Sequence, residues 1–299
     1  MKFALLIATL SAGSALASPA FAEDKAVPDF SGVWARTAIF GFEMPLSGAG
    51  PLRNLQRRRD GTSDASVPVG DYRSSLLKPE AAEIVRKKGL ISLAGLDYPD
   101  PSNQCRPMST PYIMRVQEIE LLQQKHQVTI LYMQDHHVRR VRLNSAHPAR
   151  PTPTWDGDSV GHYEGDTLVV DTIALKTGPA AVIDAYGTPH SEALHVVERY
   201  RLIDRDAAEA ATARSGKEYG QPAAAPTGDG LFADFEYKGK ALQIEFTVED
   251  QKVFTTPWTG LVTLWHATND WEEHVCAENL KEYYDRTDTE APQAARPDF

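Results

Sequence analysis

The sequence predicts a mainly β protein, an antiparallel β-barrel with short peripheral helices and long loops. Many short segments alternate apolar and polar residues with a period of two, and turn residues separate them at short intervals. Few segments have helix signals, so an antiparallel barrel or sandwich is expected rather than an alternating α/β fold. A chain of 299 residues is long enough to bury a sizeable core.

The first half of the chain is predicted to hold one strand, a long loop and one helix. The strand covers residues 29–34, and an irregular stretch rich in Pro, Gly, Arg and Ser follows at 43–72. Residues 79–88 predict a short helix, because Pro79 suits a first turn and basic residues precede Gly89.

The second half is predicted to consist mainly of strands. Residues 207–228 are rich in Ala, Gly and Pro, which predicts an inserted loop or mobile lid, and residues 286–299 predict a disordered tail. The predicted strands are residues 127–133, 138–143, 167–172, 194–203, 230–237, 241–248 and 261–266.

The N-terminus has the pattern of a cleaved signal peptide over residues 1–22. Lys2 supplies the positive charge, an apolar run follows, and residues 20–22 form a small-x-small cleavage site before Glu23. We therefore expect a periplasmic or secreted protein whose barrel domain spans residues 23–285. No segment reaches the ~20 consecutive apolar residues that a membrane span needs.

Charge and cysteine content narrow the classes of partner. The formal net charge of −10 argues against binding to nucleic acids or anionic membranes. Cys105, in a predicted loop over 99–111, and Cys276 are expected to form a disulfide in an oxidising compartment. Association into a homo-oligomer stays open.

Residues 154–172 are unusually dense in polar groups and predict a functional site, with an acidic, solvated hairpin turn as the alternative. Residues 157–161 match the spelling of a nucleophile elbow, but that motif needs a preceding strand and a following helix. Here a proline-rich segment precedes and a strand follows, so we interpret the match as accidental. The candidate residues of this segment are Trp155, Ser159 and Asp171.

The strand at 194–203 carries a carboxylate on an apolar face. With a period of two, Glu198 shares a face with leucine, valine and tyrosine residues, and His195 lies on the other face. If the Glu198 face is interior, the carboxylate needs a partner or its pKa rises toward the range useful for acid–base chemistry. The alternative is a structural ion pair with an arginine from a neighbouring strand.

Histidines are the candidate acid–base groups. A turn at residues 184–189 includes Tyr186 and delivers His190 to the next strand. We expect His190 or His195 to act as acid or base, with Glu198 or Asp171 orienting the imidazole.

Arginines are the candidate groups for an anionic ligand. Arg139 and Arg140 lie on opposite faces of one strand, and either suits a carboxylate or phenolate, with a salt bridge to Glu198 or Asp171 as the alternative. No cofactor motif is present. We consider one metal site, whose ligands would have to come together from separate strands. They are His137, His147, His190 and Asp171.

Several motifs together resemble a large family of exported bacterial proteins. They are the strand at 29–34, the Cys105 loop, His147-Pro148, the blocks PTWxGxSVGxxEGDTLVVDT and PHSExLHVxER, and the Thr-Pro-Trp at 256–258. The resemblance covers about residues 29–276 and implies a β architecture and export. The Gly-x-Trp at 32–34 also resembles the opening of lipocalin-type barrels, which implies a calycin-like fold.

These observations favour a periplasmic, cofactor-independent lyase, hydratase or isomerase that acts by proton transfer on a small apolar molecule, with an aromatic one favoured. The alternatives are a lipocalin-like binding protein without turnover and a metal-dependent hydrolase. The residues expected to contact the ligand are Arg139, Arg140, His147, Trp155, Ser159 and Tyr186.

Overall fold

Nine strands form a closed barrel in which each strand pairs with its sequence neighbours and the last strand pairs with the first. The computed structural model describes residues 27–36, 41–96, 101, 104–115, 118–178, 181–219, 233–234 and 236–267. The predicted mainly β barrel is confirmed. The strands are β1 (Gly32–Arg36), β2 (Ile119–Gln123), β3 (Gln127–Tyr132), β4 (His137–Leu143), β5 (Asp158–Glu164), β6 (Thr167–Ile173), β7 (His195–Ile203), β8 (Ala241–Glu249) and β9 (Trp258–His266).

One strand pair departs from the predicted antiparallel arrangement. β4 and β5 run parallel, with Val141 opposite Ser159, whereas the other neighbouring pairs are antiparallel. A parallel pair needs a crossover connection, because the chain must return to the starting end of the sheet. Residues 144–157 make this connection, and they bring His147 to the barrel surface near β5 and β6.

The predicted first helix is present and longer than expected. Helix α1 (Pro79–Leu93) continues through Gly89, which we expected to end it. Gly89 is buried, and a Cβ atom there would lie 2.8 Å from the Cγ1 atom of Val69. This glycine therefore allows close packing against the 43–72 loop instead of ending the helix.

The predicted lid is wrong over the part of it that the structure describes. Residues 207–219 belong to helix α2 (Arg205–Tyr219), because the alanines that suggested a loop are strong helix formers. Ala208 packs with Ala241 and Trp265 on the barrel surface. Neither helix of the described chain is long and apolar enough to serve as a membrane-spanning segment.

Other predictions differ in detail or fall outside the described residues. The predicted strand at 230–237 is wrong where it is described, because Ala233 forms only an isolated bridge with Ala267 and a turn follows. Strands β2 and β5 were not predicted. The predicted signal peptide, Cys276 and the C-terminal tail lie outside the described residues, so the disulfide with Cys105 stays a prediction.

Alternating residues of the strands fill the barrel interior. A nine-stranded barrel is slightly wider than the eight-stranded barrels that ordinary apolar side chains fill. Large polar side chains occupy the extra space, since Arg139, Tyr132 and Tyr200 are among the largest fully buried side chains. Apolar residues that are at most 1% exposed surround them: Leu121, Ile130, Val141, Leu168, Val196, Ile244, Phe246 and Val262.

Gly157, which ends the crossover connection, is expected to tolerate no side chain. Its φ is +70°, and a Cβ atom would lie 2.7 Å from the carbonyl oxygen of Ile173. Gly157→Ala should lower the free energy of unfolding by about 1–3 kcal/mol, measured by urea denaturation. Gly165→Ala is the matched control, because Gly165 has a φ of +61° with open space around its Cβ position. Equal losses in both variants would contradict the predicted steric clash.

Candidate active site

A row of acidic and histidine side chains crosses the outer surface of the barrel. Asp171, on β6, accepts a hydrogen bond from Nε2 of His195 at 3.0 Å and another from Nε2 of His147 at 3.1 Å. Nδ1 of His147 lies 2.5 Å from Asp158, and Nδ1 of His195 lies 3.7 Å from Glu249. We call these five residues the histidine–carboxylate array.

Strand register explains how the array forms. Thr172 and Val196, which lie opposite each other in the β6–β7 pair, are fully buried. Their chain neighbours Asp171 and His195 therefore both point outward. His195 lies directly opposite Glu249 in the β7–β8 pair. The array therefore extends across the strands, in the direction along which side chains of neighbouring strands meet.

The crossover connection adds the remaining contacts. His147 precedes Pro148 in this connection and inserts its ring between Asp158 and Asp171. Two guanidinium nitrogens of Arg142 donate to Asp158, each at 3.0 Å. Each ring nitrogen of His147 therefore faces a carboxylate, which accepts hydrogen bonds when it is ionised.

The charges in the array shift its pKa values in consistent directions. Hydrogen bonds from Arg142 lower the pKa of Asp158, and the hydrogen bond from His195 lowers the pKa of Asp171. The hydrogen bond to Asp171 raises the pKa of His195 above its ordinary value, and burial opposes this only in part. Asp171 thus stays ionised and stabilises the charged form of His195.

The two ring nitrogens of His195 face different carboxylates. Donation from Nε2 to Asp171 places the lone pair of the neutral ring on Nδ1, which lies 3.7 Å from Glu249, and the negative charge of Glu249 also raises the pKa of this histidine. Glu249 also lines an open cavity of about 380 Å³. The other residues lining this Glu249 cavity are Lys78, Asp250, Gln251, Phe254, Thr255, Thr256 and Pro257.

A second polar cluster lies inside the barrel. Arg139 forms a two-point salt bridge with Glu198, and both side chains are at most 1% exposed. Burial acts to lower the pKa of Arg139, but the negative charge of Glu198 raises it well above its ordinary value. The structure therefore contains the ion pair that was the alternative interpretation of Glu198. Ser159, Thr110, Thr172 and Tyr132 also accept hydrogen bonds from Arg139, and Tyr200 donates one to Glu198.

The two tyrosines of this cluster border a small apolar cavity. It is too narrow to admit a water molecule, and Met114, Ile119, Ile244 and Leu264 complete its wall. Burial raises the pKa of Tyr132 to about 12, so its hydroxyl stays neutral. The interior cluster is thus a satisfied polar network in a packed core.

His190 and Tyr186 lie apart from the array and from the interior cluster. Nδ1 of His190 donates to the carbonyl oxygen of Ser191 at 3.0 Å, and burial lowers the pKa of this histidine. Neither Nε2 of His190 nor the hydroxyl of Tyr186 has a hydrogen-bond partner within the described part of the chain. His190 is therefore not oriented by Glu198 or Asp171 in this structure.

The remaining predicted ligand-binding residues are dispersed. Arg140 is exposed on the outer face of β4, and Lys176 lies 5.2 Å above the ring of Trp155. Ser159 and Arg139 belong to the interior cluster. Of all the predicted site residues, the structure brings His147, Asp171 and His195 together at the surface.

The metal site that we considered does not form from its four residues. His147 contacts Asp171, but His137 lies near Asp156 instead, at 3.4 Å, and His190 contacts Ser191. Across the described ranges, no group of three or more His, Cys, Asp and Glu residues has an arrangement that could hold a metal ion.

Sequence reasoning missed Arg142, Asp158 and Glu249. Asp158 precedes Ser159 in the polar segment at 154–172, so its carboxylate was a weak indication that it belongs to the site. Glu249 becomes adjacent to His195 only through the β7–β8 register, and His147 approaches Asp171 only through the crossover connection.

Comparison with known proteins found no matching family model, no matching curated protein and no matching solved structure. The resemblance to an exported bacterial family therefore stays a prediction.

Proposed function

We propose that this protein is a periplasmic or secreted, cofactor-independent enzyme that catalyses proton transfer on a small, largely apolar, molecule. The reaction class is that of a lyase, hydratase or isomerase. The observation that supports this proposal is the position of His195, whose Nε2 contacts Asp171 while its Nδ1 lies 3.7 Å from Glu249, a residue of the cavity wall.

His195 would act as general base and then as general acid. Its Nδ1 takes a proton from a C–H or O–H group of the substrate, and the resulting imidazolium is stabilised by Asp171. The same proton then returns to another atom of the substrate, which completes an isomerisation, or to a leaving group, which completes an elimination. No electrons enter or leave, so the cycle needs no redox cofactor.

In this proposal Lys78, rather than Arg139 or Arg140, binds an anionic group of the substrate. Arg139 is buried and paired with Glu198, so it is not available to a ligand at the surface. Lys78 lines the Glu249 cavity, and its ammonium donates to the carbonyl oxygen of Gln251. A carbonyl, phenolate or carboxylate oxygen of a substrate would receive a further hydrogen bond from this ammonium.

The carrier alternative receives less support from the geometry. Lipocalin-like proteins hold their ligand inside the barrel. Here Arg139, Glu198, Tyr132 and Tyr200 occupy the interior, and the cavity beside the two tyrosines is too narrow for a water molecule.

Turnover by the mature protein tests the proposal. Phenolic, terpenoid and steroid compounds would be incubated with the wild-type, His195→Gln and His162→Gln proteins and followed by liquid chromatography–mass spectrometry. His162 is the matched control, because it lies on the outer barrel surface and contacts Glu164 outside the array. A product that only His195→Gln fails to make supports the proposal. A product made equally by all three, or a ligand retained without conversion, would overturn it.

The activity should increase with pH on the acidic side of its profile. Only the neutral form of His195 accepts a proton, and the pKa of this group is raised by Asp171. The midpoint of the rise is therefore expected above the ordinary histidine value of 6.5. In Asp171→Asn the midpoint should move to lower pH, as rate measurements from pH 5 to 9, roughly the range of histidine titration, would detect. An unchanged midpoint in that variant would contradict this assignment.

A further inference from the structure

A second cavity lies between α2 and the segment at residues 43–46. Its volume is about 230 Å³. This α2 cavity is lined by Glu43, Met44, Pro45, Leu46 and by Ala211, Arg214, Ser215, Glu218 and Tyr219 of α2. None of these residues belongs to the histidine–carboxylate array.

Arg214 is a positively charged residue of the α2 cavity, and its charge acts on Glu43 without a direct contact. It is exposed, and its guanidinium makes no hydrogen bond or salt bridge with the residues that the structure describes. The guanidinium of Arg57 lies 2.7 Å from Glu218, so that carboxylate is already compensated. An unpaired arginine at a cavity wall is suited to bind a carboxylate or phenolate, because its planar donors match those oxygens.

Glu43, at the floor of the cavity, does not neutralise Arg214 by direct contact. Its two carboxyl oxygens bond to Thr263, one to the backbone N–H at 2.7 Å and one to the hydroxyl at 2.9 Å. Burial raises the pKa of Glu43, while the positive charges of Arg36 and Arg214 and the hydrogen bonds from Thr263 act to lower it. The buried guanidinium of Arg36 adds a second positive charge nearby. The cavity thus favours an anion over a cation.

The opposite wall of the cavity is apolar and partly uncovered. Leu46 is 82% exposed, which is the largest value among the large hydrophobic residues in the described part of the chain. Pro45 and Met44 lie beside it, and the ring of Tyr219 is buried at the base, where its hydroxyl donates to the carbonyl oxygen of Phe42. A ligand with an apolar body would cover Leu46 while its anionic group reaches Arg214.

We propose that the α2 cavity binds a small organic anion, a carboxylate with an aromatic or compact apolar body. The volume is below the roughly 300–1,000 Å³ of pockets for drug-sized ligands, so the ligand is expected to be of single-ring size. Benzoate combines the charge, the planarity and the size that these walls select, and it is the probe for the test.

Calorimetric titration with benzoate, with benzylamine as the cationic counterpart, tests this site. Wild-type protein should bind benzoate saturably and benzylamine not at all. Arg214→Gln should weaken benzoate binding by roughly 10-fold or more, since it removes a charged hydrogen-bond donor. Lys217→Gln, an exposed lysine of the same helix outside the cavity lining, is the matched control and should bind as the wild type does.

Leu46→Asp gives a second, independent test, because an exposed side chain can be changed without loss of the fold. It should weaken benzoate binding through repulsion, whereas His195→Gln should leave it unchanged, which separates this site from the proposed active site. Absence of benzoate binding to the wild type, preference for benzylamine, or binding by Arg214→Gln and Leu46→Asp as tight as that of the wild type would overturn the proposal.

Discussion

Replacing Glu198 by Gln is expected to lower the free energy of unfolding by about 3–5 kcal/mol. The substitution keeps the size of the side chain but leaves the buried Arg139 guanidinium without its counter-charge. Both groups are at most 1% exposed, so water cannot take over the role of the carboxylate. Urea denaturation followed by circular dichroism measures the loss.

Two further variants test the physical reason for that loss. Glu164→Gln breaks the exposed pair with Arg199, whose contact is 2.7 Å, and should cost no more than about 1 kcal/mol. The double variant Arg139→Met with Glu198→Gln removes both charges, so it should recover much of the stability that Glu198→Gln alone loses. If Glu198→Gln lowers the free energy of unfolding no more than Glu164→Gln does, the Glu198 carboxylate is not needed to compensate the charge of the buried Arg139.

Replacing Asp171 by Asn is expected to lower the rate of the proposed reaction on the order of 10²- to 10⁴-fold. The asparagine side chain matches the shape of the carboxylate but lacks its charge, so the imidazolium of His195 loses its stabilising partner. An amide nitrogen can also donate to Nε2, which would place the ring proton on Nδ1 and block the base. The rate measured at saturating substrate shows the effect.

Asp156→Asn is the matched control for this substitution. Asp156 also faces a histidine, His137, at 3.4 Å, but it lies outside the array. The control should keep the wild-type rate and the wild-type stability. A similar loss of rate in both variants would mean that Asp171 acts on the stability of the surface and not on the chemistry of His195.

Local periodicity predicted that Glu198 and His195 lie on opposite faces of β7, but not which face is interior. The burial of Val196 and Tyr200 in the structure shows that the Glu198 face is the interior one. An ion pair with an arginine was the alternative interpretation of Glu198, because a buried carboxylate needs a partner, and the structure contains that pair. Residue type and a period of two are properties of a single strand, so the sequence contains them directly.

Contacts between strands could not be predicted in the same way. The meeting of His195 and Glu249 depends on the β7–β8 register, and His147 reaches Asp171 because β4 and β5 are parallel. Register and crossover depend on how the whole barrel closes. Helix α2 was missed for a different reason, since an alanine-rich segment with prolines and glycines beside it suits both a helix and a loop.

The protonation of His195 is the most direct test of the central claim that Asp171 holds this ring with Nδ1 available as the base. Nitrogen-15 NMR spectra of the histidine side chains, recorded over a pH series, report both the tautomer and the pKa. We predict that the neutral ring carries its proton on Nε2 and titrates above 6.5, and that the pKa falls in Asp171→Asn. A neutral ring protonated on Nδ1, or a pKa at or below 6.5 in the wild type, would contradict the claim.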